Sequence, residues 1–115
     1  MDPARDVLEQ LYIDFNDRDI DAILAAMHPD IDWPNDQEGG RIQGRDGVRD
    51  YWRRQFAELD PHLKPLSFSP LPGGGWAVEV EHLVQDRAGA VLNDQIVTHS
   101  YTFEDGLIRS MRLEK

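Results

Sequence analysis

The chain has 115 residues, which is the size of one ordinary domain, and we expect a single domain over residues 1–115. Its 22 acidic residues outnumber 12 lysines and arginines, and the formal net charge of -10 excludes nucleic acid and anionic membranes as expected partners, because both would be repelled. The chain has no cysteine, so disulfides, thiol nucleophiles and cysteine-ligated metals are excluded.

The first ten residues, MDPARDVLEQ, lack the basic and apolar regions of a signal peptide. No apolar run of the sequence approaches the roughly 20 residues that a membrane span needs. We therefore expect a cytoplasmic protein that does not bind membranes.

Two helices are predicted at the start of the chain. Pro3 suits the first position of a helix, and apolar residues recur at helical spacing as far as Phe15, which predicts a first helix over residues 3–16. After the break at NDRD, Asp19 is placed to cap a second, short helix, and Pro29 ends it. The sequence DIDW, residues 30–33, alternates in polarity and therefore predicts a brief strand.

The stretch WPNDQEGGRIQG, residues 33–44, is typical of neither a helix nor a regular strand. Its glycine pair permits a turn with positive φ, so the stretch is either a turn that leads to the third helix or one wall of a binding site. Asp46 is placed to cap that third helix, and Asp60-Pro61 closes it, since a residue before proline disfavours the helical conformation.

The second half of the chain predicts an antiparallel meander. The sequence HLKPLSFSPLP, residues 62–72, holds three prolines, which places this strand at a sheet edge. A glycine triplet turns the chain into two long alternating strands, and LIRSMRLE, residues 107–114, is the last strand. Helices followed by strands favour the α+β class, with the helices packed on one sheet face. The residues predicted to face inwards are Trp76, Val78, Val80, His82 and Val84 and, on the next strand, Gln95, Val97, His99, Tyr101 and Phe103.

Three segments, FNDRDIDAILAAMHPDIDW, GRDGVRDYWRRQF and YTFEDGLIRSMRLE, make the sequence resemble the NTF2-like superfamily over nearly its whole length. The resemblance is strongest to SnoaL-like proteins of unassigned function. It implies an NTF2-like cone, in which three N-terminal helices pack on a curved antiparallel sheet around a cavity. It also implies a homodimer through the outer sheet face, which here is polar and carries Glu79, Glu81, Thr98, Ser100 and Thr102.

The ketosteroid isomerase pattern does not carry over to this chain. The position of that family's proton-shuttling Asp is Asn35, the position of its oxyanion-hole Tyr is Leu11, and the position of its protonated Asp is His99. Such enzymes need a base, a Tyr donor and a neutral acid together, so steroid isomerisation is not expected. The Asp-Arg-Asp set of epoxide hydrolases is also absent, because the cavity-facing strand positions hold Gln95, His99 and Tyr101.

SnoaL-type cyclases use a cavity Asp with a nearby His, and either Asp36 or Glu38 with His82 or His99 would imitate that arrangement. A carboxylate beside Trp33 would lose hydration, which suits general-base work, and His suits acid, base or donor roles. The candidate catalytic residues are therefore Asp36, Glu38, His99 and His82. The candidate substrate-binding residues are Tyr12, Trp33, Tyr51, Trp52, Trp76, Gln95, Tyr101 and Met111.

A metal held by the two histidines would need a third ligand from the loop acids, and no short ligand motif supports one, so no metal or other cofactor is expected. Three functions remain open. The first is an acid-base enzyme, of isomerase, cyclase or hydrolase type, acting on an apolar cyclic or carbonyl compound. The second is a non-catalytic ligand-binding domain with the same pocket, and the third is a structural dimer whose cone is nearly filled.

Overall fold

The computed structural model describes residues 3–35 and 39–114. The helices are α1 (Pro3–Asn16), α2 (Ile20–Ala25) and α3 (Arg45–Glu58). The strands are β1 (Met27–Pro34), β2 (Arg41–Gln43), β3 (Leu59–Pro70), β4 (Trp76–Asp86), β5 (Val91–Glu104) and β6 (Leu107–Glu114). Within the described ranges, none of the helices combines the length and the apolar character that crossing a membrane requires.

The six strands form one sheet in the order β2-β1-β6-β5-β4-β3. Strands β3 to β6 are the predicted antiparallel meander, and the proline-rich β3 lies at an edge as predicted. The α+β class is confirmed, but the expectation of an entirely antiparallel sheet is wrong at one pair, since β1 lies parallel to β6. Side-chain alternation tells which face a strand buries and carries no information about the direction of its neighbour.

The second helix begins where the sequence predicts and ends earlier. The Asp19 side chain accepts a hydrogen bond from the Ala22 backbone N–H at 3.2 Å, and the helix ends at Ala25. Pro29 does not end it, because Met27 already pairs with Ile108 of β6 and β1 has begun. The β1–β6 register shifts between Met27 and Asp32, and a proline is tolerated at such an irregularity.

The stretch at residues 33–44 contains a strand that the sequence did not predict. Strand β2 pairs antiparallel with the end of β1, and a three-residue strand is too short to show alternation. The predicted cap of the third helix is also wrong. The N-cap is Gly44, at φ 84°, without a side-chain hydrogen bond, and Asp46 lies in the first turn, where its charge favours the helix dipole.

The core lies between the helices and the inner face of the sheet. Val78, Val80 and Val97 are fully or almost fully buried, whereas Glu79 and Glu81, which alternate with the valines of β4, are exposed. The predicted inward and outward faces of β4 and β5 are therefore confirmed at these positions.

Helix α1 is fastened to β3 at its C-terminal end. The Asn16 side chain donates to the Leu63 carbonyl at 2.8 Å and accepts from the Leu63 N–H at 3.0 Å. Two residues further along the chain, Arg18 lies over the Phe56 ring, 4.6 Å from its centroid, and donates to the Asp60 carboxylate, which lowers the pKa of that group. These contacts set the position of α1 above the sheet.

Candidate functional site

A cavity of about 120 Å³ lies between the helices and the inner face of the sheet. Eight of the residues singled out from the sequence line it, namely Tyr12, Trp33, Tyr51, Trp52, His82, His99, Tyr101 and Met111. They come from α1, β1, α3 and three neighbouring strands, so the fold brings together side chains that are far apart in the chain.

Two of the expected binding residues, Trp76 and Gln95, do not line the cavity. Both are half-buried on the predicted face, and Trp76 packs against the core. Alternation assigns a residue to a face but does not say how far along the strand the cavity extends. Asp36 and Glu38 lie outside the described residues, and no carboxylate belongs to the described lining.

Aromatic rings form one wall of the cavity, and Trp52 of α3 is their centre. Its ring centroid lies 4.9 Å from Phe15 and 4.9 Å from Tyr51, in both cases edge to face, and 6.0 Å from Trp33. These geometries are the favoured ones for aromatic pairs. The helical stripe of α3 and the C-terminal end of β1 thus supply an apolar wall.

Sequence reasoning did not identify several lining residues. Gln55 is buried, and its Nε2 donates to the Tyr51 hydroxyl at 2.7 Å. The sequence did contain an indication of this contact, because Gln55 lies four residues after Tyr51 on the apolar stripe of α3. The remaining missed residues are mostly apolar, including Leu11, Ile23, Leu63, Val84 and Leu113, and nothing in the sequence separates them from ordinary core.

Three buried polar side chains meet in the wall of the cavity. The Tyr12 hydroxyl lies 2.9 Å from Nδ1 of His99 and 2.7 Å from the Tyr101 hydroxyl. The Tyr101 hydroxyl lies 3.4 Å from the same nitrogen. We call these three residues the Tyr-His-Tyr cluster. Tyr12 is its central member, since both short distances involve its hydroxyl.

Burial keeps the Tyr-His-Tyr cluster uncharged. Burial is the larger cause and the neighbouring His82 the smaller one, and together they lower the pKa of His99 to about 3. Burial also raises the pKa of Tyr12 and of Tyr101 above the ordinary tyrosine value. At neutral pH the cluster therefore offers hydrogen bonds without a formal charge.

A second group of possible metal ligands lies away from the cavity. His28 Nε2 is 3.0 Å from a Glu104 carboxylate oxygen and 3.8 Å from one of Asp105. The Asp30 backbone N–H donates to His28 Nδ1 at 3.0 Å, so Nε2 carries the ring proton and donates to Glu104. Arg109, 3.4 Å from Glu104, adds positive charge. This arrangement fits a histidine hydrogen-bonded to the Glu104–Arg109 ion pair better than a cation site.

The chain matches the SnoaL-like domain family over residues 8–111 and therefore belongs to that family. An NTF2-like protein of unknown function from Burkholderia pseudomallei is 23% identical, with 99% of this chain and 91% of that chain covered and a TM-score of 0.86. A search of curated protein sequences found no significant match.

Two further structures similar to this chain were solved with small molecules. TerC, co-crystallised with polyporic acid, is 28% identical, with 97% of this chain and 90% of TerC covered and a TM-score of 0.84. A Mycobacterium tuberculosis protein in complex with estradiol-17β-hemisuccinate is 18% identical, with 98% and 93% covered and a TM-score of 0.85. The NTF2-like fold of this chain is thereby shown, and the structure with 18% identity supports the fold alone.

Replacing His99 with Gln should reduce the loss in the free energy of unfolding that accompanies a fall in pH from 7 to 5. In the folded state His99 stays neutral down to about pH 3, whereas an unfolded His takes up a proton near pH 6.5. Acidification below pH 6.5 therefore favours unfolding, by about 2 kcal/mol between pH 7 and pH 5 for this group. Urea denaturation of His99→Gln at both pH values should lack this loss, even if the variant is less stable at pH 7. Parallel profiles for the two proteins would contradict the assigned pKa.

Proposed function

We propose that this SnoaL-like protein binds a small, uncharged, largely apolar compound in the cavity, and that this compound is cyclic or carries a carbonyl group. We take the cavity to be the interior of the cone that the family resemblance implies. The observation that carries the proposal is the composition of the cavity wall. Aromatic and aliphatic side chains make up most of it, and the Tyr-His-Tyr cluster supplies a few convergent polar groups. That combination is the usual form of a small-molecule site.

The charge of the wall supports an uncharged ligand. Among the described lining residues there is no Asp, Glu, Lys or Arg, so an ionic ligand would lose its hydration without gaining a counter-charge from them. The co-crystallisation of TerC, 28% identical to this chain, with polyporic acid supports small-molecule binding in general.

The size of the cavity supports a compact ligand. Its volume of about 120 Å³ is below the roughly 300 Å³ at the lower end of ligand pockets. On size alone, this volume favours the alternative of a structural domain with a nearly filled interior. The buried polar cluster and the ring-lined wall favour binding, and Met111, an unbranched side chain in the wall, could move to admit a larger molecule.

Filling the cavity should abolish binding. We expect toluene to bind the parent protein, measured by ligand-detected NMR, and Val84→Phe to weaken binding at least tenfold, because the added ring occupies the cavity. Val91→Phe adds the same ring at an exposed position and should bind as the parent does. Equal binding by both variants would place the ligand elsewhere. If toluene binds neither the parent protein nor either variant, the alternative of a structural domain with a nearly filled interior is favoured.

We further propose that the bound compound undergoes acid-base chemistry. Asp36 or Glu38 would act as the base, and His82 or His99 with Tyr101 would polarise a substrate oxygen. Family membership and the position of the Tyr-His-Tyr cluster in the cavity wall support this role. A protein that binds its compound without converting it would be the non-catalytic alternative.

The loop acids can be tested once native mass spectrometry against a metabolite library has identified a compound. Asp36→Asn or Glu38→Gln should lower kcat by about 100-fold or more with little change in binding, since a general base contributes that much. Asp50→Asn, an exposed carboxylate on α3, is the matched control and should keep full turnover. Full turnover by both loop variants would disprove the assignment of the base.

We also propose that the protein is a homodimer through the outer sheet face. That face is mostly polar, but Ile96 in its middle is 57% exposed, which suits an interface. Sedimentation velocity should give twice the chain mass for the parent protein and the single-chain mass for Ile96→Glu. The matched control is Ile13→Glu, equally exposed but on α1, which should stay dimeric. A monomeric parent, or a dimer that survives Ile96→Glu, would contradict this interface.

A further inference from the structure

We propose that His99 donates a hydrogen bond into the cavity from its Nε2 atom, and that the bound compound carries an acceptor oxygen, such as that of a ketone, to receive it. The inference rests on the proposed function, in which the cavity binds a small uncharged compound. It names the group that such a compound presents to the polar part of the wall, and it narrows the donor to one atom. It follows from the number of protons in the Tyr-His-Tyr cluster.

The Nε2 atom of His99 is the open end of the Tyr-His-Tyr cluster. Both tyrosine hydroxyls contact Nδ1, and among the described residues Nε2 has no hydrogen-bond partner. Nε2 is nevertheless not fully enclosed, so part of its surface is accessible. Because His99 lines the cavity and is only 4% exposed in all, this accessible surface faces the cavity. Contact with Nε2 does not require a bound compound to reach either hydroxyl.

If Nε2 carries the ring proton, both tyrosine protons find acceptors inside the cluster. Nδ1 then has a free lone pair, and Tyr12 donates to it over 2.9 Å. Tyr101 donates to the Tyr12 oxygen over 2.7 Å. Both distances are normal for hydrogen bonds of these kinds. The proton on Nε2 is then the only one of the cluster that is left for a ligand.

If Nδ1 carries the ring proton instead, one tyrosine proton has no acceptor. Nδ1 can then only donate, and the single contact between the two hydroxyls uses one of their two protons. Neither hydroxyl has a further acceptor among the described residues. Tyr12 and Tyr101 are 2% and 1% exposed, so bulk water does not supply one. A buried donor without an acceptor is costly, and the cluster therefore favours the proton on Nε2 by about tenfold or more.

A proton on Nε2 makes His99 a donor towards the cavity. The ring is neutral, so Nδ1 is an acceptor that Tyr12 already occupies, and Nε2–H is the group that remains. A ketone oxygen accepts from it, whereas a group that only donates would face a second proton. An alcohol oxygen also accepts, so ketones and alcohols both fit. The two tyrosines are positioning residues, because they fix the tautomer of His99 and need not touch the compound.

The tautomer can be measured in the ligand-free protein. ¹⁵N NMR correlations within the His99 ring should place the proton on Nε2, with the Nδ1–H form at about a tenth or less. Tyr12→Phe leaves Nδ1 with only the 3.4 Å contact and should raise the share of the Nδ1–H form about threefold or more. Tyr101→Phe removes the other hydroxyl but keeps the 2.9 Å contact, so the parent tautomer should persist. A proton on Nδ1 in the parent protein overturns the inference, whether or not the cavity binds ligands.

Cyclohexanone and methylenecyclohexane are matched probes, since they have nearly the same shape and differ in an oxygen atom against a CH₂ group. Their affinities are measured by ligand-detected NMR, with toluene as the apolar reference. The ratio of the two affinities should favour cyclohexanone about tenfold more in the parent protein than in His99→Phe, because the variant lacks the donor. Because both probes have nearly the same size, a change in cavity volume largely cancels in this ratio. Cyclohexanone, but not methylenecyclohexane, should shift the ¹⁵N signal of Nε2.

Thr102→Val, which removes a hydroxyl from the exposed face of the same strand, is the matched control and should keep the parent ratio. If toluene and both probes fail to bind the parent protein, the cavity is not a ligand site, and the proposed function and this inference fail together. If the probes bind and the ratio is the same in the parent protein and in His99→Phe, the proposed function stands and the inference is overturned. The oxygen would then be held by another group of the wall, such as His82.

Discussion

The hydroxyl of Tyr12 must find hydrogen bonds in the interior, and much of the structure depends on that requirement. An unpaired buried hydroxyl costs about 1–3 kcal/mol, so α1 must lie above the sheet with Tyr12 in reach of His99 and Tyr101. The two hydrogen bonds between Asn16 and Leu63, one helical turn further along, hold the helix in that register. The same position of α1 leaves the adjacent space open, and this space is the cavity.

The surroundings of these hydroxyls decide their chemistry. Trp33, Trp52 and Phe15 exclude water from one side, and the valines of the inner sheet face exclude it from the other. In this setting a charge is costly, so His99 and the two tyrosines remain neutral over the physiological range. Neutral groups recognise uncharged ligands through the direction of their hydrogen bonds. The steroid isomerases, in contrast, combine a carboxylate base with a neutral acid and a Tyr.

Much of the fold followed from local patterns. The first helix, the Asp19 cap, the alternation of β4 and β5 and the edge position of β3 were all predicted, because periodicity, capping and proline chemistry act over a few residues. The errors arose where distant contacts override such patterns. Pro29 looked like the end of a helix and lies within β1, because pairing with β6 begins at Met27. Strand β2 was not predicted, since three residues form a strand there only because β1 lies beside them.

The candidate site likewise combines features that local sequence patterns predict with features that depend on distant contacts. By itself the sequence determined that His99 and Tyr101 share one face of a strand, since side chains two residues apart point to the same side. Its charge argued against nucleic acid and anionic membranes, and its aromatic residues led to the prediction of an apolar small-molecule partner. Only the tertiary structure decided that Tyr12, 87 residues before His99, completes the cluster, and that the cavity reaches His82 but neither Trp76 nor Gln95. Such facts depend on how a helix is placed over a twisted sheet, and that placement is set by packing across the whole domain.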